Sequence, residues 1–205
     1  MSPVTLLTGR PGTGKTTHCR RMMHVDGVVG LVCPACEIRS GERYGIDALC
    51  FSGNDNPERV PLARVRETEF DALALKYPIV QPPDDDDFSA AQLKEEMTVQ
   101  GPFHFSPSAM ERCNRFLEGL LHSNKSRLII VDEVGPLEMD AQGGLSPALT
   151  KLLSSSVALL LVVRPTLVVR VHGYIQTYRP DAVIETITTT DLPNPRDRRI
   201  LNFLT

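Results

Sequence analysis

The chain has 205 residues, 41% of them hydrophobic and 23% charged, the proportions of a globular protein with one well-buried core. A formal net charge of −3 and the lack of any tryptophan argue against a general nucleic-acid or membrane-surface binder, which needs a basic face and, for single strands, stacking aromatics. The one basic cluster, RDRR at 196–199, is too short to alter that reading.

The first apolar run, VTLLT at 4–8, leads straight into GRPGTGKTT at 9–17 and leaves no room for a targeting sequence. No uninterrupted apolar run reaches membrane-spanning length. Five cysteines, an odd number without an export signal, fit reduced thiols, so the expectation is a soluble cytoplasmic protein. Residues 9–16 match G-x-x-x-x-G-K-[ST], the Walker A pattern, between a strand and a breaker-free helical stretch at 15–23. Its glycines let the backbone turn its N–H groups inward on phosphate oxygens. Lys15 supplies an ammonium for the β- and γ-phosphates, Thr16 a hydroxyl for Mg²⁺, and the helix beginning there a positive end. The candidate nucleotide-binding residues are therefore Gly9, Arg10, Pro11, Gly12, Thr13, Gly14, Lys15, Thr16 and Thr17, for ATP, GTP or another triphosphate.

A second apolar run at 28–33 continues into CEIRSGERYGIDAL, where Ser40-Gly41 supplies the turn of a β-hairpin. Residues from about 52 to 101 are prolines, an acid run at 84–87 and weak helical signals at 68–76 and 90–97. They read as an irregular insertion or lid within a single domain spanning 1–205, too poor in apolar residues to build a core alone. Regularity returns with Ser106-Pro107, a helix start, and with Met110, Cys113, Phe116, Leu117, Leu120 and Leu121 on one face. A buried strand at 128–131, a helix at 145–153 and a buried strand at 157–163 follow. Leu167, Val168, Val171, Ile175 and Tyr178 mark another helical face, 182–187 a last strand, and 196–204 a short closing helix. Alternating strands and helices predict a three-layer α/β fold, its sheet mainly parallel and covered on both faces.

The strand at 128–131 opens the stretch LIIVDEVGPLEM. Asp132 and Glu133 thus stand at the C-terminal end of a buried strand, where doubly wound sheets bind ligands. Asp132 suits Mg²⁺, as the acidic partner of Thr16. Glu133 would point elsewhere and could polarise a water behind the γ-phosphate. Lys15 and Glu133 are the candidate catalytic residues, and Thr16 and Asp132 the candidate metal-binding ones. Two carboxylates with separate tasks suit hydrolysis. A nucleoside or nucleotide kinase is the rival, with Arg59, Arg64 and Arg66 as candidates for an acceptor pocket. A binding module switched by nucleotide, with slow hydrolysis, is a reading of another class. A regulatory GTPase fits less, because Asn124–Arg127 lacks the Asp of a base-reading motif and precedes the acid strand.

GRPGTGKTT, CEIRSGERYGIDAL with VPLAR behind it, GPFHFSPSAMERC and LIIVDEVGPLEM come in an order that resembles the nucleoside-triphosphatases of the thermophile and human cancer-related type. The resemblance runs from about residue 4 to 163. It implies a P-loop domain that hydrolyses several nucleoside triphosphates to diphosphates with Mg²⁺, an acid strand not adjacent to the phosphate-loop strand, with the strand at 157–163 between them, and Glu133 as the water-activating residue. Three features depart from it: a longer, more acidic stretch at 68–100, Arg164 where the family tends to have His, and Cys33-Pro-Ala-Cys36. Arg164 is a tentative site residue, able to neutralise the γ-phosphate or to pair with a surface acid. The two cysteines lack a second pair for zinc, and a redox role is the lesser reading. Arg39, Arg43 and His104 read as ordinary surface or packed residues, and Glu138 has no assigned chemistry.

Overall fold

The computed structural model describes residues 2–37, 43–53, 56–65, 98–123, 126–140 and 142–191. Strand β1 (Val4–Thr8) enters the glycine loop and helix α1 (Lys15–Met22). Strands β2 (Val28–Val32), β3 (Ala35–Glu37), β4 (Arg43–Phe51), β5 (Glu58–Val65), β6 (Thr98–Gln100) and β7 (Phe103–Phe105) follow. Helix α2 (Pro107–Leu120), β8 (Leu128–Val134), α3 (Pro136–Asp140), α4 (Ser146–Leu153), β9 (Ala158–Val163), α5 (Val168–Tyr178) and β10 (Ile184–Thr188) complete the order.

Among the described residues the strands form one sheet, ordered β10-β1-β9-β8-β2-β4-β5-β7-β6, with β3 paired to β4. The run from β10 to β2 is parallel, and β4, β5, β7 and β6 extend it antiparallel. VTLLT, VVGLV and ALLLVV are buried along their whole length, as parallel strands covered on both faces must be. Strand β9 separates β1 from β8, as the resemblance implies. Alternation divides the apolar residues between two cores. Leu6, Leu31, Val131 and Leu161 face Leu117, Leu149, Leu152 and Val171 of α2, α4 and α5. Leu7, Val32, Ile130 and Val162 face Cys19 and Met22 of α1.

Local chemistry sets the boundaries. Ser106 caps α2, its hydroxyl accepting from Ala109 N at 3.2 Å, with Pro107 at the first helical position. At Gly30 the chain passes so close to β8 that a Cβ would stand 2.1 Å from the Ile130 carbonyl oxygen.

The structure corrects the reading of 52–101 as irregular throughout. Glu58–Val65 is a strand of the main sheet, and Thr98–Gln100 another. Pro61 hid the first of these, because proline is excluded from regular ladder positions. It is tolerated here beside a bulge: Ile46 pairs with Ala63 but Asp47 with Pro61. Antiparallel pairing of β3 with β4 forms the expected hairpin arms, up to Glu37↔Arg43. Ser40-Gly41, Arg39, Arg66, the acid run, the helical signals at 68–76 and 90–97 and the helix expected at 196–204 lie outside the described residues. All five cysteines are unpaired thiols. Among the described residues no helix is long and apolar enough to cross a membrane.

Candidate active site at the C-terminal edge of the sheet

Because β10, β1, β9, β8 and β2 are parallel, the segments leaving them gather on one edge. The glycine loop follows β1, Cys33 follows β2, Asp132 and Glu133 close β8, and Arg164 follows β9. In the loop, Gly12 and Gly14 hold φ of +78° and +87°, backbone that a side chain would strain. Gly14 is the N-cap of α1 with no side-chain cap, so the first-turn N–H groups face outward for an anion. The Lys15 ammonium reaches back across the loop and donates to the carbonyls of Gly9 at 2.8 Å and Arg10 at 2.9 Å. Arg10, Pro11, Gly12, Thr13 and Thr17 are exposed, and Thr16 is half-buried.

Asp132 is fully buried. Its Oδ2 accepts from Cys33 N at 3.1 Å and its Oδ1 from Glu133 N at 3.0 Å, and the Thr16 hydroxyl is near enough to favour its charged form. Burial, with the Glu133 charge adding, raises its pKa to about 7, and these three groups pull in the opposite direction. A cation beside it would favour the carboxylate form. The loop threonine and the acid of the fourth strand along are thus neighbours. Both present oxygen, the donor that hard divalent cations take.

Glu133 turns away from this pair. Between Val131↔Leu161 and Val134↔Val163, β8 advances three residues for two of β9, a bulge that takes the acid pair out of the ladder. Glu133 adopts φ +68°, the left-handed region, and stands exposed. Arg164 Nη2 lies 3.8 Å from its Oε2, with more than half of the arginine side chain exposed, a weak ion pair. A cleft beside it is lined by Cys33, Gln100, Glu133 and Arg164 over apolar Phe105 and Leu137. A larger concavity of about 440 Å³, against α2 and Pro147, shares Phe105, Met110 and Leu137 with this cleft and holds none of the loop or acid residues.

The structure therefore brings Lys15, Thr16, Asp132, Glu133 and Arg164 to one edge. It takes Arg59 and Arg64 elsewhere: both pair with Asp47, Arg64 at 2.8 Å, in the antiparallel extension. Arg43 pairs with Glu37 at 3.2 Å across the hairpin. Three participants were not legible in the sequence. Cys33 serves Asp132 through its backbone N–H, which any residue type supplies. Thr189 donates to Thr13 Oγ1 at 2.8 Å and closes over Gly9 from the far side of the loop. Glu138 is buried under the Glu133 turn, accepting from Gly135 N at 2.8 Å and Leu145 N at 2.9 Å.

A glycine loop between β1 and α1, facing an acid pair two strands away across a parallel sheet, defines the class of P-loop nucleotide-binding α/β proteins. A sequence model of the NTPase family matches residues 86–198, more than half of the chain, and the chain belongs to that family. The match begins after the glycine loop, so the loop is an independent witness to nucleotide binding. The structure is similar to that of a human cancer-related nucleoside triphosphatase at 19% identity and a TM-score of 0.53, covering 99% of this chain and 94% of the other. It is similar also to THEP1 from the hyperthermophile Aquifex aeolicus at 16% identity and a TM-score of 0.52, covering 97% and 95%. At these identities the likeness is one of fold. A comparison with curated protein sequences gives no match. The protein is a nucleoside-triphosphatase.

Proposed function

We propose that the protein hydrolyses nucleoside 5′-triphosphates to diphosphate and phosphate in a Mg²⁺-dependent reaction with little selectivity for the base. The observation behind this reading is the convergence of the glycine loop after β1 with the buried Asp132 and the exposed Glu133 of β8 at one edge of the sheet. Thr16 and Asp132 would hold the ion, with phosphate and water oxygens filling the rest of its shell. Bound there, Mg²⁺ would neutralise charge on the β- and γ-phosphates. The loop N–H groups and Lys15 orient the triphosphate and stabilise the charge that develops as the β–γ bridging oxygen leaves with its electron pair. Glu133 accepts a hydrogen bond from the attacking water and takes its proton as the new P–O bond forms. Arg164 is placed to offset the added negative charge. The loop contacts address phosphates alone, which supports broad base acceptance.

Phosphate release measured with Mg²⁺ over several triphosphates, with and without nucleosides and monophosphates, tests the proposal. Acceptor-independent release is expected from each triphosphate, with kcat falling about 10²–10⁴-fold in Glu133→Gln while triphosphate binding is retained. Transfer that needs an added acceptor would overturn it in favour of a kinase. Tight binding with negligible turnover would point to a switched binding module instead.

A further inference from the structure

Glu138 is 3% exposed, and no step of the reaction uses it. Burying a carboxylate is costly unless its oxygens are well partnered. Here each oxygen has a backbone N–H from a different segment: Gly135, two residues after Glu133, and Leu145, the N-cap of α4. Further contacts hold the same place. Ser146 Oγ donates to the Glu138 carbonyl at 3.0 Å, and Met139 N to that of Gly135 at 3.1 Å. Asn114 of α2 clamps the other side, its Nδ2 donating to Gly144 O at 2.9 Å and its Oδ1 accepting from Ala148 N at 3.0 Å. Gly144 has φ +58°, and a Cβ there would fall 2.2 Å from Glu138 Oε1, so this backbone is moulded to the carboxylate.

What this clamp holds is the turn that contains Glu133. A non-glycine residue at φ +68° persists where its surroundings over-determine it, since the left-handed region is strained for any residue with a Cβ. Val134 is back in the ladder on one side, and Gly135 is tied to Glu138 on the other. A glutamine could not serve both N–H groups, because one of its two terminal atoms is a donor.

We propose that Glu138 is a positioning residue for the hydrolytic reaction, which with Asn114 fixes the backbone turn that aims the Glu133 carboxylate at the attacking water. The proposal rests on the reading of Glu133 as the water-activating residue. A double-mutant cycle tests it: kcat, affinity for a fluorescent triphosphate and thermal midpoint are measured for E138Q, E133Q and the double variant. E138Q should lower kcat up to about 10²-fold, as a misaimed group does. Its triphosphate affinity should stay within about twofold of the unsubstituted protein. In the E133Q background the same substitution should cost no further turnover, because a residue acting through Glu133 has nothing left to position. Equal losses in both backgrounds, or parallel loss of nucleotide affinity, would overturn the proposal and leave a structural role. Undiminished turnover in E133Q would overturn the reading of Glu133 and the proposal with it. If E138Q does not fold, the cycle is run with N114A, where the same non-additivity is expected.

Discussion

At the residue scale, the two acids of the β8 end differ by environment rather than by type. Asp132 is fully buried, with two backbone N–H groups on its carboxylate, and Glu133 is exposed in the left-handed region. That conformation is itself testable. Removing the Glu133 side chain as Glu133→Ala retains a Cβ at φ +68°, whereas Glu133→Gly relieves it. The alanine variant should therefore be less stable than the glycine variant by about 1 kcal/mol, read as the difference in denaturant midpoints at equal slope. A reversed order would mean that the turn relaxes once the carboxylate is gone.

At the element scale, the site depends on how closely β2 lies against β8. Cys33 follows β2, and its N–H meets Asp132 because Val28–Leu31 pair with Leu128–Val131 in register. Gly30 permits that approach, with Ile130 backbone atoms where a Cβ would be. Gly30→Ala should cost about 3 kcal/mol or more, seen as a lowered midpoint in urea, and should weaken triphosphate binding as Asp132 loses its donor. The elements that were legible in the sequence are those whose pattern is strong on its own. The glycine loop, the all-apolar β9 and the apolar face of α2 all fall within a residue or two of expectation. Strand β5 was not legible, because Pro61 and the flanking charges conceal its alternation. Helix α3, five residues starting at Pro136, looks like a turn in sequence, being too short to show periodicity. Within the site, side-chain chemistry could be read and backbone chemistry could not: Lys15, Thr16, Asp132 and Glu133 have telling residue types, while the donors Cys33 N and Gly135 N have none. Glu138 was visible as a residue but not as a buried one, since burial there comes from α4 and the Gly144 turn, which sequence spacing does not bring together.

At the scale of the whole molecule, the proposed ligand spans separate parts of the sheet: the loop after β1, the acids ending β8 and the arginine after β9. A ligand that bridges them binds the folded chain alone and so stabilises it, by about 2.7 kcal/mol at a hundredfold excess over Kd. A Mg²⁺–triphosphate analogue should raise the thermal midpoint by several degrees, EDTA should remove most of the gain, and Asp132→Asn should make the remaining shift insensitive to Mg²⁺. An undiminished shift in EDTA would argue against the Thr16–Asp132 pair as the seat of the ion. Strands β4 to β7 meet this bridge only along the cleft beside Glu133, through residues such as Gln100 and Phe105, and the rest of them lies away from it. Substitutions at exposed positions there should change stability without moving the ligand-induced shift.

The Lys15 ammonium, folded back on the Gly9 and Arg10 carbonyls, has a consequence for how the substrate arrives. In the proposed function a triphosphate would have to draw the ammonium away from these two carbonyl oxygens, so capture would be a substitution reaction in which they are the leaving ligands. Such an exchange would set a threshold, because an anion of lower charge would displace the carbonyls less readily than a triphosphate does.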